Sequence, residues 1–206
     1  MAKYFEVHPH DPQPRTIAQV VALLREDALI AYPTDSGYAL GCQMSSHTGA
    51  DRIRAIRELD DKHHFTLVCA DFAQLGRLVH LDNAPFRAIK AAIPGPYTFI
   101  LPATKEVPRQ LAHPKKKTVG VRIPDNAVVR ALLRELGEPL LSSTLLMPGA
   151  DAAMTEGWRV QEELDHVLDA VIDAGDTGSE PSTVVDWSEG EPVVVRVGAG
   201  DPSRFE

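Results

Sequence analysis

Two alternating hydrophobic periodicities constrain this chain more than any other feature. In residues 16–25 the apolar Ile17, Val20, Val21 and Leu24 recur at three- and four-residue spacing, which predicts an amphipathic helix. Residues 28–32 (ALIAY) form a continuous apolar run broken by Pro33, which predicts a strand. The alternation then repeats. Helices are predicted over residues 48–58, 83–93, 126–136 and 158–167, with Asp125 as the expected cap of the third and Gly137 as its stop. Strands are predicted over 65–69, 98–101, 118–123, 139–144, 170–173, 182–187 and 193–197. Alternating helices and strands imply an α/β fold. The last two runs flank a turn at Ser188-Glu189-Gly190-Glu191 and form a hairpin, so the sheet is not purely parallel. The expectation is one α/β domain over residues 1–206: a twisted mixed parallel/antiparallel sheet of about seven strands with four or five flanking helices.

A chain of 206 residues can bury a full core without disulfides or metal. Its 44% hydrophobic and 24% charged residues exclude a largely disordered chain. No apolar run approaches the roughly 20 residues that span a bilayer, so no membrane partner is expected. The start, MAKYFEVHPHDPQPR, has no apolar core of a secretory signal. Cys42 and Cys69 form neither a CxxC pair nor a zinc spacing, and a reduced cytoplasm is the simplest compartment. The net charge of −8 argues against a nucleic-acid partner, but it is unevenly placed. Residues 1–150 hold 18 basic and 15 acidic side chains, whereas 151–206 hold 3 and 14. A mildly basic body therefore precedes a strongly acidic last quarter, and a phosphate-bearing partner stays open.

Three segments carry chemistry-bearing side chains where a predicted strand ends. Tyr32-Pro33-Thr34-Asp35-Ser36-Gly37 places hydroxyls and a carboxylate directly after a strand, the usual ligand position in open α/β sheets. The same residue types also build tight turns and helix caps. Lys115-Lys116-Lys117 leads into a strand ending at Arg122. An arginine there suits a carboxylate or phosphate, which it can grip with two parallel hydrogen bonds, while the lysines equally suit a solvated loop. Ser142-Ser143-Thr144 brings three hydroxyls out of a further strand, without a GxSxG nucleophile signature. The eight histidines make no metal spacing, and His63-His64 is expected to be a surface pair. Walker A and GxGxxG loops are absent.

Taken in order, YPTDSGYALGC (32–42), HFTLVCAD (64–71), PGPYTFIL (94–101), TKEVPRQL (104–111), KTVGVRIP (117–124), GEPLLSST (137–144), STVVDW (182–187) and VVVRVGAGD (193–201) resemble the YrdC/YciO family. The resemblance covers nearly the whole chain, and several ordered motifs are more specific than any single one. It implies a single YrdC-like domain with a concave cavity of positive potential. The best-known members make threonylcarbamoyl-AMP from L-threonine, bicarbonate and ATP, releasing pyrophosphate, for the t6A modification of tRNA. Members are also described as binding double-stranded RNA and tRNA. Carried onto this chain, the resemblance implies substrate binding by Thr34, Ser36, Arg122, Ser142 and Ser182, and nucleotide binding by Arg57, Thr144 and Arg196. Lys115, Lys116 and Lys117 are the candidates for RNA. ATP is implied as a substrate, with Mg²⁺ left open because no carboxylate cluster marks a site. L-threonine or a similar small acid is the second substrate. No side chain is assigned a covalent or metal-ligating role.

The chain departs from the synthases of the family in two motifs. Where they carry KxR it has Arg57-Glu58-Leu59, and where they carry SxN it has Thr144-Leu145-Leu146. The histidine that synthases often carry after the third strand falls near Cys69. Loss of one arginine and one amide removes two contacts to the departing pyrophosphate. Each loss is expected to cost on the order of 2–4 kcal/mol of transition-state stabilisation, by analogy with single oxyanion donors. The expectation is weak or altered synthase-like activity, with a non-catalytic RNA-binding protein or a small-metabolite binder as the alternatives.

Overall fold

The computed structural model describes residues 1–60 and 65–205, so the predicted His63-His64 pair lies outside the described residues. Among the described residues ten strands form one mixed sheet rather than about seven. In chain order they are β1 (Lys3–Glu6), β2 (Ile30–Thr34), β3 (Gly37–Gln43), β4 (Thr66–Val68), β5 (Tyr97–Pro102), β6 (Thr118–Arg122), β7 (Leu140–Thr144), β8 (Ala170–Asp173), β9 (Thr183–Asp186) and β10 (Val193–Arg196). Their order across the sheet is β1-β8-β2-β3-β7-β4-β6-β5-β9-β10. The β9–β10 pair is the antiparallel hairpin predicted from the sequence.

The two strands that sequence reasoning missed have different causes. β1 is a short edge strand, KYFE, mostly exposed, and carries little apolar signal. β3 continues the 32–37 segment, read as a ligand position after a strand, yet it lies inside the sheet between β2 and β7. Its glycines serve the pairing. Gly37 adopts φ +99°, which closes the Thr34–Gly37 hairpin turn. At Gly41 a Cβ would lie 2.7 Å from the Tyr32 ring, which packs across the strand there.

Among the described residues six helices flank the sheet: α1 (Pro14–Arg25), α2 (His47–Arg57), α3 (Phe72–Leu78), α4 (Asn83–Ala92), α5 (Ala127–Leu136) and α6 (Gly157–Leu164). The unpredicted α3 is short and capped by Asp71, whose carboxylate accepts from Gln74 N. The cap of α5 is Asn126, not Asp125: Asn126 Oδ1 accepts from Val129 N at 3.1 Å. Asp125 instead pairs with Arg130 at 2.7 Å.

Strand alternation divides the core between the two sheet faces. Leu29, Ala31, Leu67, Phe99, Val121, Leu141 and Val185 lie in one cluster, together with residues of α2, α3, α4 and α6. Ile30, Tyr32, Leu140, Ala170 and Ile172 face the other way, against α1 and α5. These two helices pack on each other over the β8, β2 and β7 part of that second face. They leave the rest of it, toward β10, without a helical cover. Among the described residues no helix is long and apolar enough to cross a membrane.

Candidate active site

The uncovered part of the second face is lined by Thr66 and Val68 of β4, Thr98 and Ile100 of β5, and Gly120 and Arg122 of β6. These alternate positions point to one side of the sheet, and the residues between them point into the core. The boundary falls within β7. Leu140 packs under the helices, while Ser142 and Thr144 reach a cavity of about 340 Å³.

Three arginines enter this cavity from three elements: Arg57 from the last turn of α2, Arg122 from the end of β6, and Arg196 from the end of β10. A register shift between Val194 and Arg196 sets Arg196 opposite Val184, so both lie on the cavity side.

Their surroundings differ. The Arg122 side chain is 9% exposed and pairs with Asp35, itself 15% exposed. The same terminal nitrogen, Nη2, donates to Ser36 Oγ at 2.8 Å. Asp35 is held from behind, since its second carboxylate oxygen accepts from Asp125 N at 3.1 Å. Arg122 Nε is buried and has no hydrogen-bond partner among the described residues. Burial pushes the Arg122 guanidinium below its usual range, and Asp35 opposes that shift.

Arg57 and Arg196 are held by neutral groups instead. Arg57 donates from Nε to Leu146 O at 3.0 Å and from Nη1 to Ser143 Oγ at 2.7 Å. Arg196, the most exposed of the three, donates to Ser182 O from Nε at 3.1 Å and from Nη2 at 2.8 Å, and Nη2 also reaches Ser182 Oγ at 3.2 Å. Partial burial lowers the pKa of both, and for Arg196 the charge of Arg122 adds to the shift. Cations held by carbonyls and hydroxyls keep their full charge for a ligand.

The predicted hydroxyls are in the same place but not all equally available. Thr34 lines the cavity, yet its hydroxyl donates to Gly37 O at 2.7 Å and accepts from Ser36 N at 3.0 Å, which is turn chemistry. Ser142 Oγ lies 2.6 Å from Tyr32 Oη and donates to Leu40 O at 3.0 Å. Burial pushes the Tyr32 phenol up to about 12, so it stays neutral. Ser182 Oγ lies 2.8 Å from Thr98 Oγ1. Thr144 is exposed at the rim.

The structure thus brings together Thr34, Ser36, Arg57, Arg122, Ser142, Thr144, Ser182 and Arg196. It does not bring Lys115, Lys116 and Lys117 to them. These are exposed in the turn before β6, and Lys116 faces Glu189 at 3.4 Å. Sequence reasoning placed Asp35 and Ser143 in candidate segments without assigning either a ligand, and gave no site role to Thr98 or Asp151. Thr98 was legible as a hydroxyl alternating with core residues in TFIL, whereas Asp35 acquires its role from a partner 87 residues away. Of the two departures from the synthase motifs, Leu146 lines the cavity, but Leu59 packs against the core of the opposite face. Among the described residues no group of three or more His, Cys, Asp or Glu side chains could hold a metal, and Asp151 is the one carboxylate lining the cavity.

Comparison with known proteins gives a consistent result. The family model for Sua5, YciO and YrdC, described as "Telomere recombination", matches residues 22–198. The chain is similar to YciO of Escherichia coli, at 45% identity over the full length of both, and the crystal structure of that protein superposes with a TM-score of 0.97. It is 31% identical to the threonylcarbamoyl-AMP synthase of Bacillus subtilis, covering 98% of this chain and 58% of that protein. The crystal structure of P. abyssi Sua5 complexed with L-threonine matches with a TM-score of 0.84 at 28% identity, over 95% of this chain and 57% of that one.

Proposed function

Because the chain belongs to the family of Sua5, YciO and YrdC, we propose that its cavity carries out a weak or altered L-threonylcarbamoyladenylate synthase-like reaction. L-threonine, bicarbonate and ATP would give threonylcarbamoyl-AMP, pyrophosphate and water, feeding tRNA t6A modification. The observation that carries this reading is the convergence of three guanidinium groups and a set of hydroxyls on one uncovered sheet face. Support comes from the synthase named for Bacillus subtilis and from the L-threonine bound in P. abyssi Sua5.

In this reading Arg122 takes the amino-acid carboxylate, with Ser36, Ser142 and Ser182 nearby and Thr34 shaping the turn beneath it. Arg57, Arg196 and Thr144 take the phosphates. The threonine amine attacks bicarbonate and water leaves to give a carbamate. A carbamate oxygen then attacks the α-phosphorus, the bond to pyrophosphate breaks, and Arg57 and Arg196 offset the charge that develops on the leaving group. No covalent enzyme intermediate is required. Mg²⁺ accompanying ATP would neutralise phosphate charge, and Asp151 is the lining carboxylate available to it, since Mg²⁺ commonly uses one or two carboxylates plus substrate phosphates. Leu146 supplies no donor where the synthases carry an amide, which is expected to slow turnover by roughly 30- to 1000-fold. A cytoplasmic location suits the same reading, as both cysteines are free.

Pyrophosphate release measured beside a known synthase tests it. Slow release that requires an amino acid and drops about 100-fold in Arg122→Ala is the expected result. No turnover with any amino acid overturns it. A second reading, binding of double-stranded RNA or tRNA, draws on the exposed Lys115–Lys117 turn, which is separate from the cavity. Affinity for RNA that falls steeply with salt and weakens in a triple lysine-to-alanine variant supports it, and unchanged affinity in that variant removes that surface from consideration.

A further inference from the structure

The three arginines of the cavity are not equivalent toward anions, and the difference traces to one carboxylate. Asp35 sits in the hairpin turn between β2 and β3. It cannot easily turn elsewhere. Its flanking residues are fixed by the Thr34 hydroxyl, which accepts from Ser36 N and donates to Gly37 O, and its own two oxygens are engaged by Arg122 and Asp125 N. Both Asp35 and Arg122 are largely shielded from water, so their charges act on each other and on a ligand with little screening. Asp35 and Ser36 both use Nη2 of Arg122. Nε and Nη1 donate to no described residue.

The Arg122 corner therefore offers a directional donor on a pair whose net charge is close to zero. Arg57 and Arg196 offer donors with an uncompensated charge, because their partners are carbonyls and hydroxyls. A ligand at Arg122 is attracted by the arginine and repelled by Asp35, both in proportion to its charge, while the cost of desolvating it grows with the square of that charge. A pair close to neutral therefore holds a monoanion through directional hydrogen bonds but offsets little of the desolvation cost of a dianion. Resting on the anion-site reading above, we propose that Asp35 is a specificity-determining residue: it reserves the Arg122 corner for a monoanionic carboxylate and leaves phosphate groups to Arg57 and Arg196. The carboxylate need not touch the ligand. It acts by neutralising and holding the arginine that does.

Isothermal titration of the full chain at pH 8, with L-threonine and inorganic phosphate as separate probes, tests this. In Asp35→Asn the affinity for phosphate relative to L-threonine is expected to rise tenfold or more, and Asp35→Glu is expected to keep the wild-type order. Thermal melting confirms folding, and Asp35→Ser, a neutral turn-forming substitution, serves if the asparagine variant does not fold. An unchanged ratio in the neutral variants overturns the proposal, as does a proportional loss of both affinities, which marks a purely structural role. Wild-type protein that binds neither probe also overturns it. Absence of pyrophosphate release with a shifted ratio refutes the enzymatic reading alone and leaves the role of Asp35 standing.

Discussion

One face of the sheet is used in two opposite ways. Toward β8 and β2, the outward positions are Ala170, Ile172, Ile30 and Tyr32, and α1 and α5 seal them with Val20, Val21, Leu24, Val129, Leu132 and Leu133. Toward β5 and β9 the equivalent positions are Thr98, Ile100, Ser182 and Val184, and no helix covers them. The backbone is the same twisted sheet throughout. The chemistry of alternate residues decides whether a stretch becomes core or cavity, because a helix can gain stability only where apolar area is offered to it. A cavity of this kind is a sheet face left bare, which is why its walls are strands and its charged groups come from strand and helix ends.

That contrast can be broken most severely at Arg122. Replacing it with alanine leaves Asp35 buried without its counter-ion and is expected to cost about 3–5 kcal/mol of stability in urea unfolding. Arg196→Ala, on the same bare half but freed only from a carbonyl and a hydroxyl, should cost about 1 kcal/mol. In the sealed half, Leu132→Ala should cost about 3 kcal/mol through cavity formation while leaving pyrophosphate release per folded molecule unchanged. Equal stability losses at Arg122 and Arg196 would dissolve the distinction between the two arginines. A smaller effect, with the opposite sign for activity, is expected at the rim: Leu146→Asn should raise pyrophosphate release by about tenfold, the equivalent of about 1.4 kcal/mol. Leu59→Arg should not help, because that side chain packs on the far face.

Alkaline titration reaches the boundary between the halves and has the smallest effect near neutrality. Tyr32 titrates at about 12 in the fold against an ordinary value of 10, because burial disfavours the phenolate. Burial likewise raises the Cys42 thiol from 9 to about 12. Both groups bind their protons more tightly folded than unfolded, so their contribution is whole below pH 9 to 10 and is lost as pH rises through about 12. Unfolding free energy should therefore fall across that window, with no tyrosinate absorbance from Tyr32 before it.

Much of this architecture was legible because each strand carries its own instruction. In TFIL, Thr98 and Ile100 alternate with the core residues Phe99 and Leu101, so strand and facing are written together. Arg122 was found at the end of a recognisable strand for the same reason, whereas Arg57 and Arg196 were reached only through the family resemblance. What escaped depends on distance in sequence. Nothing local marks Asp35 as the partner of Arg122, and nothing local separates Leu59, turned into the core, from Leu146, turned into the cavity. Nothing local marks β3 as a strand either, since glycines suit loops as readily as the tight hairpin at Gly37 and the ring packed against Gly41 that they permit here. The lysine run was conspicuous as composition but lies apart from the cavity.

The position of β10 at the outer edge of the sheet sets an order of events during synthesis. A nascent chain that has emerged through β8 already holds every residue of the core sealed by α1 and α5, together with Arg57 and Arg122. Arg196 arrives only with the closing hairpin, and it must dock against the repulsion of Arg122. Negative charge placed between the two would offset that repulsion. Completion of the cavity is then tied to the closing hairpin, because a chain lacking β10 lacks one of the three guanidinium groups that line it.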